Sequence, residues 1–132
     1  MSTVKANDLT NVTGGIPTVK SQQLIPTAWV NFNGTGTVAI RDSEGVSSIG
    51  DNGTGYYTVN FTNAMANADY NVVGSCAANE GVQQTGMVTI HSTPAAVEVV
   101  PTTSAFRLIS VNVNAATFDS KHTSVSVLGG QA

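Results

Sequence analysis

The sequence predicts an all-β domain, a β-sandwich or jelly-roll-like fold with a short N-terminal arm. Three observations point there. Valine supplies 18 of the 132 residues, and Ser, Thr and Asn together supply 41. Stiff, β-branched side chains suit a pleated surface. Helix formers are few, with four Leu, three Glu, three Lys and two Arg. Short alternating runs also recur between Asn/Gly turns, at the spacing of about 8 to 12 residues that marks sandwiches and barrels. A chain of this length makes one domain.

The elements follow in order. Residues 1–27 show no sustained alternation and contain Gly14, Gly15, Pro17 and Pro26. They read as an attachment or trimerisation arm. Alone this arm can bury little, so it must dock on something or remain mobile. Residues 28–132 read as the sandwich. Residues 28–33 alternate, with Val30 and Phe32 on one side and Trp29 and Asn31 on the other. Asn33-Gly34-Thr35-Gly36 is a hairpin turn, because Asn and Gly tolerate positive φ. A strand over 37–42 puts Val38 and Ile40 inward. Residues 43–45 turn, and 46–49 form a short strand. Asp51-Asn52-Gly53-Thr54-Gly55 is turn chemistry. The strand over 56–62 then has Tyr57, Val59 and Phe61 inward and Tyr56 outward.

Residues 63–69 are expected as a loop or one helical turn, and 70–76 as a strand. A polar loop over 77–85 leads to a strand over 86–91. A further strand is expected over 96–100, between Pro94 and Pro101. The longest run is 104–114. There Phe106 and Leu108 share one phase, while Ile109, Val111 and Val113 share the other, which needs a bulge or burial on both faces. A strand over 123–128, with Val125 and Val127 inward, closes the chain.

Charge excludes several function classes. Only 10% of the residues are charged, with a net charge of -3. The cations Lys5, Lys20, Arg41, Arg107 and Lys121 are scattered, so no nucleic-acid partner is expected. No apolar run approaches the ~18 residues of a membrane helix, so no membrane insertion is expected. The N-terminus lacks the apolar core of an export signal. Cys76 is the single cysteine, which rules out an intrachain disulfide.

Reactive groups are sparse. A nucleophilic pair would need Cys76 beside His91 or His122 with an orienting group. A glycosidase would need two carboxylates at a set separation. Asp8, Asp42, Glu44, Asp51, Asp69, Glu80 and Asp119 all sit in or beside turns and read as solvated turn acids; Glu98 is the exception. No catalysis is expected. Asp42, Glu44, Asp51 and Asn52 lack the spacing of a Ca²⁺ loop. As metal ligands, His91 and His122 would need an assembly axis that repeats each side chain. No metal and no cofactor are expected.

Sugar recognition is the better fit. Trp29, Tyr56, Tyr57 and Tyr70 are the rings that could stack on a sugar. Tyr57 reads as core, and Trp29 as a core or intersubunit anchor. Tyr56 points the other way beside a Gly-rich turn. The candidate ligand-binding residues are therefore Tyr56, Asn52 and Asp51. The sequons at Asn11, Asn33, Asn52 and Asn60 read as turn and strand chemistry.

Several motifs taken together resemble a known family. "AWVNFNGTGTVAIRDS" (28–43), "VSSIGDNGTGYYTVNFTNAM" (46–65) and "ADYNVVGS" (68–75) closely resemble a domain of bacteriophage tail-fibre and related virion proteins. "FRLISVNVNAATFDSKHTSVSVLG" (106–129) is similar to that family's closing strand pair. Two departures stand out: Glu44-Gly45 replaces an aromatic and Asn, and Tyr56 replaces an Asp.

The resemblance implies a homotrimeric short tail fibre or fibre tip, joined by residues 1–27 to other phage tail or capsid proteins. It would contact a host surface glycan or protein without catalysis. The particle would be assembled in the bacterial cytoplasm and released on lysis. The alternatives are a capsid-decorating fibre or tail adaptor without host contact, and a polysaccharide-degrading enzyme.

Overall fold

The alternation of β-branched and polar residues becomes ten short strands in a computed structural model that describes residues 18–19, 22–23, 25–77, 86–90 and 97–130. The first two, β1 (Thr18–Val19) and β2 (Gln22–Gln23), pair with each other. The other eight form two four-stranded antiparallel sheets packed face to face, as the fold class predicts. They are β3 (Ala28–Asn33), β4 (Ala39–Glu44), β5 (Val46–Asp51), β6 (Tyr56–Phe61), β7 (Asn71–Cys76), β8 (Gly86–Ile90), β9 (Ala105–Asn112) and β10 (Thr123–Leu128). Sheet I has the order β4-β3-β10-β7, and sheet II the order β5-β6-β9-β8. No helix occurs among the described residues.

Most of the expected turn over 43–45 is strand. Only Gly45 separates β4 from β5, with φ at +70°. A Cβ there would lie 3.1 Å from the Thr27 carbonyl and from Ala28 Cβ. One glycine thus carries the chain from the edge of sheet I to the edge of sheet II. The 63–69 segment is irregular, without the helical turn given as an alternative. The strand expected over 96–100 is not formed by 97–100, where only Glu98 makes an isolated bridge. Pro101 follows directly and offers no N–H to extend a ladder. The Gly14-Gly15 break, His91 and most of the 77–85 loop lie outside the described residues.

The two inner faces supply the core. Ala28, Val30 and Phe32 of β3 meet Tyr57, Val59 and Phe61 of β6, with Phe106 and Leu108 of β9 and Val125 and Val127 of β10. Aromatic residues close both ends. Phe32 and Tyr57 meet edge-on at 5.0 Å near the β3–β4 turn. Phe61 meets Tyr70 at 5.4 Å at the opposite end, and Phe106 at 5.8 Å. The Phe32–Tyr57 and Phe61–Tyr70 contacts are edge-on, which suits the ring quadrupole.

The phase conflict in β9 resolves as two-sided burial at Ile109 only: Val111 is half-buried, and Val113 lies exposed beyond the strand. Its ladders to β6 and β8 are regular, without a bulge. Phe106, Leu108 and Ser110 point inward, and Ile109 is nonetheless buried on the outer face.

Candidate functional site

Period-two geometry sorts the rings onto different surfaces. Tyr57 and Tyr70 are buried. Trp29 is half-buried on the outer face of sheet I, in register with Glu44 on one side and Ser126 on the other. It is not a core residue. Tyr56 is half-buried on the outer face of sheet II, opposite Ile109.

The turn before Tyr56 is closed from within. Asp51 Oδ1 accepts from the Gly53 N–H at 3.0 Å, an Asx turn. The Asn52 N–H donates to the Tyr56 carbonyl, and the Tyr56 N–H to the Gly53 carbonyl. Thr58 Oγ1 donates to Asn52 Oδ1 at 2.6 Å, which lays the Asn52 side chain on the sheet II face beside Thr58. The structure therefore brings Tyr56 and Asn52 together. Asp51 is exposed and spends one carboxylate oxygen on its own turn.

Register extends this face beyond the residues named from sequence. Thr58 stands opposite Arg107, and Asn60 opposite Ala105. Asn60 Nδ2 donates to Ser48 Oγ at 3.1 Å. Gly50 faces Thr58 from β5 and leaves that row without a side chain. The face carries Tyr56, Thr58 and Asn60 of β6 and Arg107 of β9, flanked by Asn52 in the turn and by Ser48 of β5, where the β5–β6 register shifts. Alternation within β6 announces Thr58 and Asn60. Arg107 arrives through a pairing 49 positions away in sequence (107 minus 58), which no local pattern reveals.

One expectation about the acids is overturned. Asp119 is not a solvated turn acid. Its Oδ1 accepts from the Gly55 N–H at 2.7 Å and from the Tyr57 hydroxyl at 2.8 Å. Both donors sit at the end of the core, so the carboxylate caps the sandwich. The Gly34 N–H, donating to the Ser120 carbonyl at 2.8 Å, ties the β3–β4 turn to the same loop. At the other end, the Tyr70 hydroxyl donates to the Thr102 carbonyl at 2.9 Å and the Ala105 carbonyl at 3.1 Å.

These two phenols make the fold sensitive to alkali. Burial, then the hydrogen bond to Asp119 and its charge, hold Tyr57 far above the ordinary tyrosine range. Burial pushes Tyr70 up to about 12. The unfolded chain releases these protons from about pH 10, whereas the folded chain keeps them. Stability is then full below about pH 10 and falls as pH rises toward the folded values. The unfolding temperature is expected to drop steeply between pH 10 and 12, and less steeply in Tyr70→Phe. An equal slope in both proteins would refute this.

Burial raises the Cys76 thiol as well, chiefly by desolvation. That keeps it protonated and a poor nucleophile. His122 is exposed and contributes its backbone carbonyl, which accepts from the Ala77 N–H. Among the described residues, no three His, Cys, Asp or Glu side chains gather as a metal site. None of the described residues forms a helix long and apolar enough to cross a membrane. Comparison with protein-family models, curated proteins and solved structures returns no match for this chain.

Proposed function

We propose that this chain is an adhesion module of a bacteriophage particle. It would be a short tail fibre or fibre tip that contacts the host surface without catalysis. The outer face of sheet II carries the reading: Tyr56, Asn52, Thr58, Asn60 and Arg107 form a polar, ring-bearing lattice on strands held from both sides. A rigid face loses little entropy on binding, and aromatic and Arg side chains are the usual anchors of recognition. The likeness of residues 28–75 and 106–129 to fibre domains supports the virion setting.

In this reading the chain is a homotrimer, and residues 1–27 join it to tail or capsid proteins. The low charge of its surface keeps desolvation costs down when copies pack together. The reading is tested by attachment of purified protein to host cells. Tyr56→Ala is expected to weaken attachment about tenfold or more while leaving the solution mass unchanged. Unchanged attachment would remove host contact from the function and favour a capsid-decorating fibre or tail adaptor. A one-chain mass for the parent protein would remove the trimer.

A further inference from the structure

We propose that the outer face of sheet II takes an acidic saccharide, with its carboxylate on Arg107 and its ring face on Tyr56. This rests on the adhesion reading and narrows its ligand. Arg107 stands on β9, an interior strand, and is partly exposed. Among the described residues no ion pair engages it. Its planar fork of N–H donors matches a carboxylate in two parallel hydrogen bonds.

Tyr56 lies diagonally from Arg107 across the β6–β9 pair, since its direct partner is Ile109 and Arg107 faces Thr58. Diagonal neighbours lie about 7–8 Å apart, within reach of a ring and a long side chain. One pyranose unit can therefore meet both. The remaining polar atoms suit hydroxyl groups. Asn52 accepts through Oδ1 from Thr58, which leaves its amide hydrogens free to donate. Asn60 donates through Nδ2 to Ser48, which leaves its Oδ1 to accept. Gly50 adds no side chain beside Thr58, so the row that holds Arg107 stays open toward β5.

Both faces carry mixed charge. On sheet I, exposed Asp42 and Glu44 stand opposite Asn31 and Trp29, with exposed Arg41 on the same strand. On sheet II, Arg107 stands diagonally from the Tyr56 ring, while exposed Asp51 is turned to the Gly53 N–H in the preceding turn. A single arginine also limits the ligand: a polyphosphate or nucleic acid needs a cluster of cations, whereas a uronic-acid unit needs one.

The test uses the full chain with two probes, an oligogalacturonate and its carboxyl-reduced neutral counterpart, by titration calorimetry. The parent protein is expected to prefer the acidic form at least tenfold, the range for one charge-assisted hydrogen-bond pair. Arg107→Gln is expected to bind both forms alike. Arg107→Lys should restore part of the preference, because it keeps the charge and loses the fork. Tyr56→Ala should weaken both forms by similar factors and keep the preference. Trp29→Ala should change neither.

Equal affinity for the two probes, no affinity for either, or a preference that survives Arg107→Gln would overturn the proposal. So would a loss confined to Trp29→Ala, which would place the sugar on sheet I. Cell attachment that depends on Tyr56 without any acid preference would leave the adhesion reading standing and remove this one. Unfolding midpoints within a few degrees of the parent would confirm that each variant is folded.

Discussion

Gly55→Ala is expected to lower the unfolding temperature by ten degrees or more. Gly55 is buried, with φ at +76°. A Cβ there would lie 2.8 Å from the Ser110 carbonyl oxygen and 2.9 Å from both the N and the O of Phe118. All three are backbone atoms, so no rotamer change relieves the contact. The same glycine donates its N–H to Asp119 and accepts from the Ser110 N–H at 2.8 Å. Backbone strain at positive φ costs about 1–2 kcal/mol, and overpacking adds about 1–3 kcal/mol. For a domain of this size, about 3 kcal/mol or more moves the midpoint by roughly ten degrees. Gly36→Ala is the control, since Gly36 has φ at +64° with nothing within 4 Å. It should cost about 1–2 kcal/mol, the strain alone. Equal midpoints for the two variants would show that the loop around Phe118 yields.

Asp119→Ala should be the second large loss. It removes the acceptor of the Gly55 N–H and leaves the Tyr57 hydroxyl only the longer contact to the Gly34 carbonyl at 3.3 Å. A buried donor left without a partner costs about 1–3 kcal/mol, so about 3 kcal/mol is expected in denaturant titration. Asp119→Asn keeps an acceptor oxygen and should cost about half as much. Combined with Tyr57→Phe, Asp119→Ala should cost less than the sum of the two single changes, because they share one hydrogen bond. Strict additivity would show that the bond contributes little.

What the sequence revealed follows from the range of each interaction. Alternation is local, so the inward sets Val30/Phe32, Tyr57/Val59/Phe61 and Val125/Val127 are legible before any fold is known. The Asp51–Gly55 turn is legible for the same reason: Asp51 and Gly53 make their bond two residues apart. Cross-strand register is not local. Nothing near Arg107 says that it will face Thr58. Nothing near Asp119 says that it will turn inward to a hydroxyl 62 residues away. In the sequence Gly55 reads only as turn punctuation; in the fold, close backbone approach matters there as much as φ. Residues 97–100 show the limit of composition: their valines suit a strand, yet only Glu98 makes a bridge, and Pro101 offers no N–H to carry a ladder further.

The position of β3 has a mechanical consequence. It is an interior strand, laddered to β4 on one side and β10 on the other. Just before it, the Thr27 N–H donates to the Val127 carbonyl at 2.7 Å, and Thr27 Oγ1 to the Gly129 carbonyl at 2.7 Å. Antiparallel hydrogen bonds lie across the strand. A pull on the chain ahead of Thr27, directed along β3, therefore loads both ladders in shear, so that many bonds share the force instead of parting one by one. In the adhesion role proposed above, tension entering from that end would be shared across both ladders.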